Sequence, residues 1–518
     1  MRARVQFSAV CVCLLIVLAL SGCGSDRSGS RLERVLSVEV FDRRVPGYVA
    51  DNNFMTAWIQ EHARAELGFD VEFDAVPRGE EVERLNLLMA SGEAPDLVYT
   101  YSYTLIQSYV RNRGIIDLTD LLPRYAPELQ AYLGEELLEY GRWEDRQWAI
   151  PAKRIYTGSH AAFIRQDWLD ALGMDIPTTL EEFYDAMVAF RDLDPGGIGD
   201  AVIPFGISLD LNNIDWTCRM LVQSFVTTTD PEDLACMERW NTPGYRDGIR
   251  FLNTMYNERL LSPDFALDKD GQQYLKDIVQ GRVGSIIHNF DHPYRPTPGI
   301  ASELANNVPG ARLVPFDPFV NFEGRHAKPV YNPNGLFIVV PEFSENADIA
   351  MRYLNWMIDP DVLFFLQNGN LGEQYLSLRN GIPVEFVPND QLPDEQKYNS
   401  TSDLSFVING REFGSEERNM EALAFGYLGY ENEVRRAMEI ATTDGIAPFR
   451  FDRIIESDTV YRSELEIRAA ELFVKSVTCA PEDFDEIYDT LTAEYMAAGG
   501  AAVEAEKRAI YRETMAGR

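Results

Sequence analysis

Apolar positions recur along the chain at two periods, and the switch between them marks out the elements. Residues 35–41 (VLSVEVF) are rich in β-branched side chains and predict a strand. Over residues 53–67, Phe54, Trp58 and Ile59 fall on one face of a helix that Gly68 closes. Residues 71–76 (VEFDAV) alternate as a second strand, and residues 80–90 form a helix with Leu85, Leu88 and Met89 inward, stopped by Gly92. Pro95-Asp96 leads into a third short strand at Leu97-Val98-Tyr99. Strands separated by single helices at this spacing predict a parallel sheet and an α/β lobe. Helix dominates further on. Thr179-x-x-Glu182 is a capping box, followed by Leu180, Phe183, Tyr184, Met187 and Phe190 at helical spacing. Ser344 starts a helix carrying Ala347, Ala350, Leu354 and Met357, and Asp359-Pro360 caps the next. Residues 379–415 read as loop, and residues 463–518 as a mostly helical tail.

The N-terminus follows a different rule. Arg2 and Arg4 precede an unbroken apolar run at 9–20 (AVCVCLLIVLAL), shorter than the roughly 20 residues a bilayer span needs. That layout is a secretory signal segment, here 1–22. It ends in Leu20-Ser21-Gly22-Cys23, which resembles the bacterial lipobox, so Cys23 is the expected lipidated first residue of the mature protein. A flexible tether, 23–33, follows, and its stretch 24–31 (GSDRSGSR) has no core-forming residues. The expected location is therefore the extracytoplasmic face of a cell membrane, lipid-anchored.

Size and charge narrow the class. The chain has 518 residues, 46% of them hydrophobic, enough for two or more domains. The formal net charge of −35 argues against nucleic acid and against adhesion to anionic lipid. Of six cysteines, Cys11 and Cys13 belong to the signal segment and Cys23 to the anchor, leaving Cys218, Cys236 and Cys479. A Cys218–Cys236 disulfide or three free thiols are both open.

Several blocks then carry a resemblance. These are Val40-Phe41-Asp42-Arg43 with Asp51-Asn52-Asn53-Phe54, LNLLMASGEAPD at 85–96, GIIDLTDLL at 114–122 and Ile150-Pro151. They continue with RQDWLDALGMDIPTTLEEF at 165–183, Asn355-Trp356-Met357 with Pro360, and Gly372-Glu373-Gln374-Tyr375. In that order the chain resembles the family-1 extracellular solute-binding proteins of carbohydrate ABC importers. The resemblance implies an α/β, two-lobed periplasmic-binding-protein fold of type II, with ligand in the cleft between lobes and a helical C-terminal tail. It implies crossings between lobes near 152–162, 313–318 and 372–378. Lobe 1 is then 34–155 plus 315–376, and lobe 2 is 156–314 plus 377–518. The implied partners are a carbohydrate ligand and the permease subunits of an ABC importer, with no cofactor and a monomeric chain.

Some relatives carry a calcium loop after the capped helix. Here the corresponding stretch, Asp194 to Pro204, is one residue short and has Gly196 and Ile198 where oxygen ligands would stand, so no metal is expected. By position in the family pattern the candidate ligand contacts are Tyr101 and Tyr103, Asp215 and Trp216, Asn289, Phe290 and Asp291, and Asn334. Each lies at a strand's carboxyl end or at a crossing, where α/β folds collect ligands. Lys153 joins them, and with its neighbour Arg154 suits an acidic sugar or a phosphate. Trp58 and Trp356 read as core.

Three other functions fit the same chain less well: a sensory lipoprotein signalling to a receptor kinase, a binder of peptides, and a secreted polysaccharide-degrading enzyme. With 82 acidic residues, a carboxylate pair carries no information by itself. There is no HExxH or GxSxG, and His288-x-x-x-His292 follows a strand-like run and precedes Pro293, which disfavours zinc.

Overall fold

A computed structural model describes residues 34–517, except 210–212, 296–298, 399–402 and 452. The lipobox, Cys23 and the tether lie outside the described residues. No helix among the described residues is long and apolar enough to cross a membrane.

Two large hydrophobic cores, one in each lobe, and a smaller third cluster around Leu85 and Trp143 organise the described chain. In lobe 1 the Val35–Asp42 strand is buried on both faces and pairs in parallel with Asp70–Pro77. Near-continuous burial is what a central parallel strand requires. On the other side of Val35–Asp42, Glu39 donates its N–H to Leu97 O and Leu97 donates back to Ser37 O. The next strand, Val98–Thr100, pairs antiparallel with Asn334–Val339, which pairs with Ile150–Arg154, and Ile408–Asn409 closes that edge. In lobe 2 the order is Leu313–Phe316, His160–Arg165, Val283–Asn289 and Ile203–Gly206. The three long helical segments at the C-terminus, Glu456–Thr478, Phe484–Tyr495 and Ala501–Gly517, pack on that second core through Leu472, Phe473, Tyr488 and Val503.

Local signals explain the helix limits. Asn53 accepts the N–H groups of Met55 and Thr56, while the Thr56 hydroxyl accepts the Asn53 N–H at 2.8 Å, and Gly68 ends that helix at φ 77°. A cap of this kind contributes about 1 kcal/mol. At the second cap the Thr179 hydroxyl accepts the Glu182 N–H as expected, but the Glu182 carboxylate reaches one residue further back, to the N–H and hydroxyl of Thr178. Trp356 is core, and Trp58 stacks on Phe365 at 4.2 Å beside it.

Several expectations need correcting. The stretch 379–415 is not all loop: Ile382–Phe386 forms a hairpin with Tyr375–Arg379, and Ile408–Asn409 adds an edge strand. The crossing expected at 313–318 lies later, because Leu313–Phe316 pairs with His160–Arg165 and Phe319 belongs to the lobe 2 core. The crossing expected at 372–378 is that hairpin; the chain leaves lobe 1 only after Ile408–Asn409, whose neighbours Leu404, Phe406 and Val407 fill the lobe 1 core. Of the two states left open for the cysteines, the structure has the free thiols, at Cys218, Cys236 and Cys479.

Candidate ligand-binding cleft

The crossings bring the candidate residues together. Register places Arg154 opposite Asn409 on one side, with Asn334 opposite the preceding Lys153 on the other. Arg154 donates from Nε to Asn334 O at 3.1 Å and from Nη1 to the Asn409 amide oxygen at 3.3 Å. Its guanidinium lies over the Tyr331 ring, 4.3 Å from the centroid. No described carboxylate pairs with it, and burial pulls its pKa down. Asn409 donates in turn to the Tyr101 hydroxyl at 2.8 Å. Tyr101 stacks beside Phe41, and the Arg78 guanidinium covers both rings at about 5 Å. Lobe 1 therefore presents Tyr101, backed by the buried Phe41 and flanked by Arg78 and Arg154.

Lys153 does not stand open. Its ammonium pairs with Glu412 at 2.5 Å and lies over the Tyr132 ring, and the Tyr132 hydroxyl also donates to Glu412.

Lobe 2 contributes a different face. Trp216 sits in the turn after the Ile203–Gly206 strand, half-buried, with the His160 ring against it at 4.2 Å and the Arg219 guanidinium 5.4 Å from its ring centroid. Asp215, buried beside it, accepts from Arg219, Arg239 and the Tyr245 hydroxyl. Burial pushes this carboxyl up, but the arginines overcome it and hold it far below the usual carboxylate range. Asp291 is built alike: it accepts both ends of the Arg295 fork, at 2.7 and 3.0 Å, and the Tyr427 hydroxyl at 2.6 Å. Again burial raises its pKa and Arg295 more than reverses the shift. Tyr331, which touches Arg154, donates its N–H to Thr157 O at 2.8 Å, and burial pushes its hydroxyl up.

Three histidines sit behind Trp216. His288 stacks on His292 with ring centroids 3.4 Å apart. Burial, then Arg219, pulls His160 down to about 3; burial, then Arg295, does the same to His292. All three imidazoles are therefore neutral at pH 7. No group of three or more His, Cys, Asp or Glu among the described residues has the arrangement of a metal site. In the shortened loop, the Asp194 carboxylate accepts the N–H groups of Ile198 and Gly199.

Residues 50–363, more than half of the chain, match the family described as bacterial extracellular solute-binding protein. The chain belongs to that family. Lipoprotein LipO of Bacillus subtilis (strain 168) is 25% identical over 337 residues, covering 62% of this chain and 65% of LipO. The fructooligosaccharide ABC transporter substrate-binding protein FusA of Streptococcus pneumoniae is 24% identical over 303 residues, covering 52% of this chain and 55% of FusA. The chain thus matches less than two thirds of the length of each. The structure of FusA in complex with kestose superposes with a TM-score of 0.68 at 15% identity, covering 94% of this chain and all of FusA's, and shows the shared two-lobed fold.

In this solute-binding protein the structure gathers Tyr101, Asp215, Trp216, Asp291 and Asn334 around the crossings, with Asn289 at the end of the Val283–Asn289 strand opposite His160. It does not gather two others. Phe290 is 7% exposed and belongs to the lobe 2 core, its N–H bound to Ser159 O. Tyr103 packs on Trp143 and Phe337 and donates to Phe451 O, a contact between lobe 1 and the C-terminal segment. Sequence reasoning missed Tyr331, Arg219 and Arg295 as site residues. The signal for the arginines was present: Asp215-x-x-x-Arg219 and Asp291-x-x-x-Arg295 repeat one spacing, and each opens a turn after a lobe 2 strand. Two concavities, of about 460 and 450 Å³, lie elsewhere on lobe 1, around Trp356 and around Met89. Neither holds a crossing residue.

Proposed function

We propose that this chain is the capture subunit of an ABC importer, exported and held at the membrane through Cys23, which binds an oligosaccharide between its lobes and passes it unaltered to permease subunits. The lobes that close are 34–154 with 334–409, and 160–319 with 416–517. The observation that carries this reading is the half-buried Trp216, together with buried amide oxygens of Asn289, Asn332 and Asn334 that have no hydrogen-bond partner among the described residues. An aromatic face takes the C–H side of a sugar ring, and buried acceptors without partners suit its hydroxyls. FusA, a relative, is by name a fructooligosaccharide-binding transport protein. Closure is then a two-state equilibrium that ligand shifts because it touches both faces only in the closed form.

A thermal-shift screen of the mature protein against mono- and oligosaccharides and short peptides tests this. A ligand of the folded state raises the midpoint with its excess over Kd. The reading predicts a saturable rise with an oligosaccharide; a rise with peptides alone overturns it.

A further inference from the structure

The proposed cleft carries a positive surplus inside a strongly negative protein. Five carboxylates of its two faces are matched among the described residues. Glu81 pairs with Arg78, Asp403 with Arg43, Glu412 with Lys153 and Asp291 with Arg295, while Asp215 is shared by two arginines, Arg219 and Arg239. Behind Arg239, Glu238 is matched by Lys507. Arg154 has no acidic partner among the described residues; it has a carbonyl, an amide oxygen and the Tyr331 ring. Glu39, packed under this face, is pushed by burial up to about 8, so most of it is uncharged at pH 7.

A desolvated guanidinium facing only neutral acceptors is costly to keep. It stands where three chain segments meet: the Ile150–Arg154 strand, the Tyr331–Asn334 turn and Asn409. Arg219 and Arg295 of lobe 2, by contrast, are both anchored by a carboxylate, so their charges are fixed in direction. Against a formal charge of −35, this local surplus has no general electrostatic origin.

We infer that the ligand is an anionic saccharide, and that Arg154 receives a sugar carboxylate while Trp216 and the Asn289, Asn332 and Asn334 amides hold the ring. The planar fork of Arg154 matches a planar carboxylate. This rests on the carbohydrate-binding reading above and specifies the substrate class. Recognition comes from the hinge, so the acidic group is read by the segment that bends as the lobes close.

The test is calorimetric titration of the mature protein with trigalacturonate, with its neutral counterpart galactotriose, and with galactose 1-phosphate, at low and high salt. The expected result is binding of trigalacturonate that weakens with salt, and at least about thirtyfold weaker binding by Arg154→Gln, the order expected when one partner of a charged contact is removed. Arg154→Lys restores part of the loss, and circular dichroism shows both variants folded. If galactotriose binds at least as tightly and Arg154→Gln leaves both affinities unchanged, the inference is overturned while the import reading stands. If galactose 1-phosphate alone binds, the carboxylate assignment is overturned. If no saccharide in a broad panel binds but a peptide does, the import-of-sugar reading falls first.

Discussion

The arginines of lobe 2 and the arginine of the hinge are built in opposite ways. Arg219 and Arg295 each follow a buried carboxylate by four residues, and the pair is made within one turn of chain. Arg154 meets only neutral groups, and those come from chain segments about 180 and 255 residues away. The first arrangement places charge rigidly on a lobe face. The second leaves a charge held only by neutral groups at the edge of the lobe 1 sheet and by the Tyr331 ring of a connecting segment. Held charges shape a site; a charge without a counterion is satisfied by what enters it.

The largest effect should come from breaking the held arrangement. Asp215→Ala leaves Arg219 and Arg239 facing each other without a counterion and should lower stability by about 3–5 kcal/mol in urea denaturation. Trp216→Ala should leave the fold intact and weaken saccharide binding by about 2 kcal/mol, the scale of a central aromatic anchor, read by calorimetry. A loss of stability as large as that of Asp215→Ala would instead make Trp216 core.

Acid should separate the lobes. His160 and His292, at about 3 when folded, lie below their ordinary value near 6.5, so the unfolded chain binds more protons between those values. Stability then falls as pH drops from about 6.5, by up to about 1.4 kcal/mol per unit for each imidazole. Glu39 in lobe 1 acts with the opposite sign. Its folded value of about 8 exceeds the unfolded 4.5, so its contribution is complete below 4.5 and is lost as pH rises to 8. Hydrogen exchange at pH 5 against pH 7 should show loosening of the Val283–Asn289 strand relative to Val35–Asp42. The smallest effect belongs to the hinge: Arg154→Gln should change stability by no more than about 1 kcal/mol, and upward, because it removes a buried charge without a counterion.

What was legible in the sequence follows the same division. Short-range signals were readable, as at Asn53, Gly68 and Thr179. The carboxylate–arginine spacing of lobe 2 was equally local and was overlooked in favour of aromatic residues. Asn380-Gly381 is a local signal too: its φ values of 51° and 77° make the tight turn between Tyr375–Arg379 and Ile382–Phe386. Phe290 misled for another reason. The strand before it is buried on both faces, so no alternation tells inward from outward. Arg154 sat in view at the first crossing, but its lack of a carboxylate depends on residues up to 255 positions away, and no local pattern encodes that.

The central claim is that a saccharide is held at the crossings, between Trp216 and the Arg154–Tyr331 pair. Hydrogen exchange of the mature protein, with and without the oligosaccharide that raises its melting midpoint most, tests it directly. Protection should appear together in segments 153–160, 213–219, 289–295 and 330–335. Protection confined to the outer face of lobe 1 around Trp356, with those four segments unchanged, would contradict it.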